Sequence, residues 1–157
     1  YKNIAAPWTG GFNIKLGYKN FDLGTNFRAS LGNYVFNDIV QGKMNTAVLY
    51  NGSKGYYENS TMDIVKNGWT SYNYPLTDYF VQNASFLKCD NITLGYSFEN
   101  LFKAGKYEGI SGRLYASCTN VFTLTKYNGL DPEQPSGRES SVYPRCRTFL
   151  FGLNLNF

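Results

Sequence analysis

Asp131 and Glu133, two residues apart with Pro132 between them, form the one carboxylate pair in this chain set at a chemically suggestive spacing. Such a pair can ligate a hard cation or share acid–base work. Proline fixes a turn, however, and turns favour aspartate, so the structural reading of the pair outweighs the chemical one. Histidine is absent, which removes Ser-His-Asp and Cys-His nucleophile pairs and every imidazole metal site. Cys89, Cys118 and Cys146 are odd in number and none stands in a Cys-x-x-Cys spacing, which argues against both a disulfide framework and zinc. No catalytic residue, metal or cofactor is expected. Recognition chemistry remains in Trp69, Tyr72 and Tyr74. Their faces can stack on sugar rings or peptide side chains, or simply pack their own loop.

The elements that position these residues read as strands. Aromatic content is 18%, with 14 Tyr and 12 Phe, yet mean hydropathy is slightly negative. That combination suits strands flanked by aromatic girdles and joined by polar loops better than a compact soluble core. No apolar run approaches the ~18 residues of a membrane helix. The net charge of +4 is spread without any basic block, which argues against a nucleic-acid footprint. With no signal peptide before Tyr1, the chain is expected to be either a mature form or a downstream piece of something longer.

Period-2 alternation runs to the last residue in Thr148–Phe157, where Phe149, Phe151, Leu153, Leu155 and Phe157 share a face against Leu150, Gly152, Asn154 and Asn156. Apolar residues on one face with small and polar ones on the other is what a transmembrane β-strand requires. The same alternation marks strands at about 11–18, 21–33, 85–98 and 111–122. It sets Ile14, Leu16, Phe27, Leu94 and Leu114 outward, and Asn26, Arg28, Thr93, Arg113 and Ser117 inward. Arg28 and Arg113 are therefore expected to line the lumen, beside solute or paired with carboxylates. Cys89 and Cys146 fall near the outer ends of strands one strand apart, about 9–10 Å from strand spacing. That is beyond disulfide reach, so all three cysteines are expected to be free.

Residues 34–83 and 123–147 lack a sustained period and read as long loops, which are rarely idle or carry small elements of their own. With Phe157 at the periplasmic end, both fall outside the cell. Five strands are too few to close a barrel, for which about eight is the small limit. The fold class is therefore all-β, five antiparallel strands of a larger transmembrane barrel.

Several ordered motifs then resemble a known family. Asn83-Ala84-Ser85-Phe86-Leu87-Lys88, Asn91-Ile92-Thr93-Leu94-Gly95-Tyr96, Leu114-Tyr115-Ala116-Ser117 and Asn120-Val121-Phe122-Thr123 belong to the set. So do Thr125-Lys126-Tyr127, Gly129-Leu130-Asp131-Pro132-Glu133, Tyr143-Pro144-Arg145 and Gly152–Phe157. Together they are similar to the closing part of SusC/RagA-type TonB-dependent transporters of Bacteroidetes. Within the last motif, Gly152, Leu155 and Phe157 resemble the C-terminal signal read during barrel insertion. The resemblance implies a barrel of about 22 strands with an N-terminal plug, of which this chain is the last five. It also implies a multi-pass location in the outer membrane, against its lipid. The implied partners are a SusD-like surface lipoprotein as lid, TonB through a part absent here, and an oligosaccharide or oligopeptide substrate. Cys118 and Cys146 stand where the family pattern leads one to expect small or polar residues. A soluble aromatic-rich β-sandwich that binds glycan is the alternative. An outer-membrane enzyme using Asp131 and Glu133 is a weaker third reading.

Overall fold

A computed structural model describes residues 2–43, 62, 66–68, 77–101, 109–140 and 143–156. Its strands are β1 (Trp8–Tyr18), β2 (Phe21–Leu31), β3 (Tyr34–Phe36), β4 (Val81–Asn83), β5 (Phe86–Leu101), β6 (Ile110–Thr125) and β7 (Thr148–Asn156). A six-residue helix α1 (Asp38–Lys43) and a 3-10 turn (Asp78–Phe80) lie between β3 and β4. Five strands make one sheet in the order β1-β2-β5-β6-β7, while β3 and β4 pair separately. The fold is all-β. Among the described residues no helix is long and apolar enough to cross a membrane.

The chain forms two compact units. The sheet unit comprises Trp8–Ser30, Phe86–Leu124 and Arg145–Phe157, and the loop unit comprises Tyr1–Pro7, Leu31–Ser85 and Thr125–Pro144. In the sheet, β1 turns into β2 across Lys19 and Asn20, with Lys19 at a φ of 54°. Asn20 then clasps β5: its carbonyl accepts from Ser97 N and its Nδ2 donates to Ser97 O, both at 2.8 Å. β5 and β6 each run 16 residues, beyond the ranges that alternation marks.

Strict alternation fails within β5. Asn26 pairs with Asn91 but Phe27 pairs with Cys89, so Asp90 is an extra residue bulged from β5. Beyond it the faces are exchanged relative to a straight reading, and Lys88 comes opposite Arg28. A bulge re-aims one side chain at the cost of ladder pairing. A second irregularity is Asn120, at a φ of 52° inside β6. Asparagine tolerates that region, and here its Nδ2 donates to Arg145 O at 2.9 Å just past the last β6–β7 pair, Thr119 with Thr148.

Residues 34–83, expected as a loop, carry β3, α1, the 3-10 turn and β4. Residues 125–144 join them: Phe36 N donates to Gly137 O at 2.8 Å and Glu139 N to Phe36 O at 2.9 Å, a short parallel bridge. Tyr34 N donates to Asn3 O at 2.9 Å. The core of this unit is Val35, Ala84 and Tyr127, with Phe80 packed against Phe36 and Val40.

Candidate functional site

Two ion pairs lie on the inner face of the sheet. Arg28 of β2 grips the bulged Asp90 of β5, with Nε on Oδ2 and Nη2 on Oδ1 at 3.0 Å. Arg113 of β6 holds Asp22 of β2 through Nε to Oδ1 at 3.1 Å and Nη2 to Oδ2. The two arginines picked out in the sequence are thus on the wall and matched there by wall carboxylates. Sequence reasoning missed Asp22 and Asp90, although Asp22 alternates onto the same face as Arg28. Between these pairs Thr93 Oγ1 and Ser117 Oγ share a hydrogen bond of 2.9 Å.

The outer face is apolar and uncovered. Register places Leu114 opposite Leu153, Ala116 opposite Phe151 and Leu23 opposite Leu94. Leu16, Leu94, Leu114, Leu153 and Leu155 are exposed, and Phe151 reaches 77% exposure. Aromatic rings gather at both ends of this aliphatic band. Toward the β1–β2 turn Phe21 meets Tyr96 with centroids 4.7 Å apart; at the other end Phe12 stacks on Phe27 at 4.8 Å and Phe27 approaches Phe122 at 6.3 Å. An aliphatic band between two aromatic belts is the profile of a strand wall facing lipid. Gly152 and Leu155 lie in β7. Phe157 lies outside the described residues, as do Trp69, Tyr72 and Tyr74.

In the loop unit the organising group is Glu139, fully buried and not foreseen from the sequence. Its Oε1 accepts from Leu130 N at 2.7 Å and Asp131 N at 2.9 Å, and its Oε2 accepts from Tyr127 Oη at 2.7 Å. The carboxylate therefore stands in for the ladder that this stretch lacks. Burial first, and then the bond to Glu139, push the Tyr127 phenol well above its ordinary pKa. Gly129 must be glycine here, because a Cβ would overlap both Glu139 and the Tyr127 ring. Asp131 is spent on a turn, accepting Glu133 N on Oδ1 at 3.0 Å. That geometry supports the structural reading of the Asp131–Glu133 pair. Next to the hub, Arg138 grips Asp38 through two bonds of 2.9 and 2.8 Å, and its guanidinium lies 5.4 Å from the Phe36 ring centroid. Ile4, Tyr34, Phe36 and Val81 line a cavity of about 290 Å³ in the same unit.

Among the described residues no group of three or more acidic or cysteine side chains could hold a metal. Cys89 is a buried free thiol, 3.4 Å from Thr25 Oγ1, while Cys118 is half-buried and Cys146 exposed, both free.

No protein-family model matches the chain. Over all 157 residues it is 46% identical to the TonB-dependent receptor SusC of Bacteroides thetaiotaomicron. Over 96% of its length it is 34% identical to the TonB-dependent receptor P3 of Formosa agariphila. The chain spans 16% of the length of each of these relatives. Among solved structures, 99% of it superposes on 18% of a chain of the RagAB peptide transporter, at TM-score 0.76 and 26% identity. The RagAB peptide importer in its open-open state gives a TM-score of 0.73 at 25% identity, with the same coverage.

Proposed function

Because this chain belongs to the SusC/RagA-type TonB-dependent receptors, we propose that it forms the last five strands of an outer-membrane barrel importing nutrient oligomers. The cargo is an oligosaccharide or an oligopeptide, moved on energy passed from TonB. The observation that carries this reading is a sheet whose outer face is apolar and belted and whose end strands, β1 and β7, each have one neighbour. A bilayer does not tolerate an open sheet edge, so such a sheet needs further strands to close it. The family resemblance sets the closed number at about 22, around a plug.

In this reading residues 34–83 and 123–147 lie outside the cell, beneath a SusD-like lipoprotein that acts as lid. Trp69, Tyr72 and Tyr74 would contact substrate or lid. Arg28 and Arg113 line the lumen as neutralised wall pairs rather than as free cations. Gly152, Leu155 and Phe157 act in insertion. No catalysis is assigned, and the likeness to receptors and importers supports that. The soluble-sandwich alternative leaves the exposed outer face without a physical reason.

Fractionation of the full-length parent tests the proposal. A segment of 17.8 kDa at 16% of the length implies a chain of roughly 110 kDa. It should sediment with the outer membrane, require detergent for extraction, and bring a lipoprotein with it. Release in soluble form on lysis would contradict it.

A further inference from the structure

The Arg113–Asp22 pair skips a strand. In the sheet order, β5 lies between β2 and β6, so the two residues stand on strands about 9–10 Å apart. The residue of β5 paired with Asp22 is Gly95. A Cβ there would overlap Asp22 Oδ1 and the Nε and Nη2 of Arg113. The guanidinium therefore passes close over the bare backbone of Gly95. It also sits 5.5 Å from the Tyr115 ring centroid, and a Cβ on Gly152 of β7 would overlap that same ring. Asp22, Arg113 and Tyr115 thus form one line laid across four adjacent strands, with glycine beneath it at both crossings.

We propose that this line is a strap, and that Gly95 is the positioning residue that lets it pass. The strap couples β2 to β6 over the top of β5. It also keeps the long Arg113 side chain against the wall, its charge spent on Asp22. In a barrel, which this part of the inference takes from the proposed function, that clears a free cation from the solute path at this latitude. The nearby Arg28–Asp90 pair reaches the same neutrality between adjacent strands by a bulge instead.

Gly95 is a clean probe because the atoms a new Cβ would meet are the ends of flexible side chains, not backbone. Gly95→Ala should displace the ion pair while sparing the sheet. Gly24, with open space around its Cβ position, supplies the control. In the full-length parent, roughly six times the length of this segment, Gly95→Ala should lower the thermal unfolding midpoint by about 0.5 °C, the scale of one lost pair spread over so long a chain. Arg113→Gln should do the same, and the two together no more than either alone. Exchanging the charges, Asp22→Arg with Arg113→Asp, should recover the loss seen in Asp22→Arg. Gly24→Ala should change nothing. Additive losses at 95 and 113, a Gly24→Ala loss equal to that of Gly95→Ala, or no loss at Gly95→Ala would each overturn the strap. A parent found outside the outer membrane would sink the barrel reading instead, and the coupling between 95 and 113 would still be legible in its melting.

Discussion

The sheet unit and the loop unit are built with opposite polarity. In the sheet, large apolar side chains such as Phe151 and Leu114 stand exposed while the Arg28–Asp90 and Arg113–Asp22 pairs lie along the other face. In the loop unit a glutamate and an asparagine, Glu139 and Asn37, have no exposure at all. The difference follows from where the backbone finds its hydrogen bonds. Long strands satisfy their own N–H and C=O groups in the ladder, so their side chains answer only to the medium on each face. With β3 and β4 only three residues each, the loop unit lacks that ladder, and a buried carboxylate takes over as acceptor.

The sharpest way to break this contrast is to remove the loop unit's acceptor. Glu139→Ala would leave Leu130 N, Asp131 N and Tyr127 Oη without their acceptor, with a loss of about 3 kcal/mol. Rapid protease cleavage within 125–144 of the membrane-bound parent, with the sheet still protected, is the expected readout. Equal protection in wild type and variant would refute the hub.

The sheet is tested by charge. Leu153→Arg on the outer face should destabilise the inserted protein by about 2–4 kcal/mol if its position is near mid-membrane. Asn154→Arg, one residue on and facing inward, should be close to neutral. Denaturant unfolding in lipid vesicles separates the two, and equal costs would erase the distinction between faces.

What could be read in advance divides along the same line. Alternation at Phe12–Tyr18 and Phe149–Leu155 reports the medium residue by residue, so strand faces are visible in the order of residue types alone. Asp90 was not, because a bulge is a decision about one extra residue that no period records. Asp22 and Arg113 could each be placed on the inner face, but their pairing depended on knowing that β5 separates them and offers Gly95. Glu139 gave no signal: it sits in an aperiodic stretch, and two of its three partners are backbone N–H groups, which carry no sequence identity. Trp69, Tyr72 and Tyr74 lie outside the described residues.

A smaller effect sharpens the loop side. Tyr127→Phe removes one donor from Glu139 and should cost about 1–2 kcal/mol. Since the folded phenol has its pKa raised, its stabilisation is whole below the unfolded value of ~10 and fades as pH climbs past it. Alkaline loosening of the loop unit should therefore be weaker in Tyr127→Phe than in wild type; an unchanged alkaline profile would show that another group governs it. The smallest effect belongs to Arg28→Gln. Its pair with Asp90 is partly exposed, so about 0–1 kcal/mol is expected in the same unfolding assay.

In the barrel assignment the outer face of the sheet meets lipid. Nitroxide labels placed singly at positions 114, 151 and 153, and at 93, 117 and 154, in a cysteine-free parent reconstituted in vesicles, test it directly. Labels at 114, 151 and 153 should relax readily with oxygen and poorly with a water-soluble nickel chelate, while those at 93, 117 and 154 should not share that lipid signature. Labels at 114, 151 and 153 shielded from both reagents would place that face inside a protein core and contradict the account.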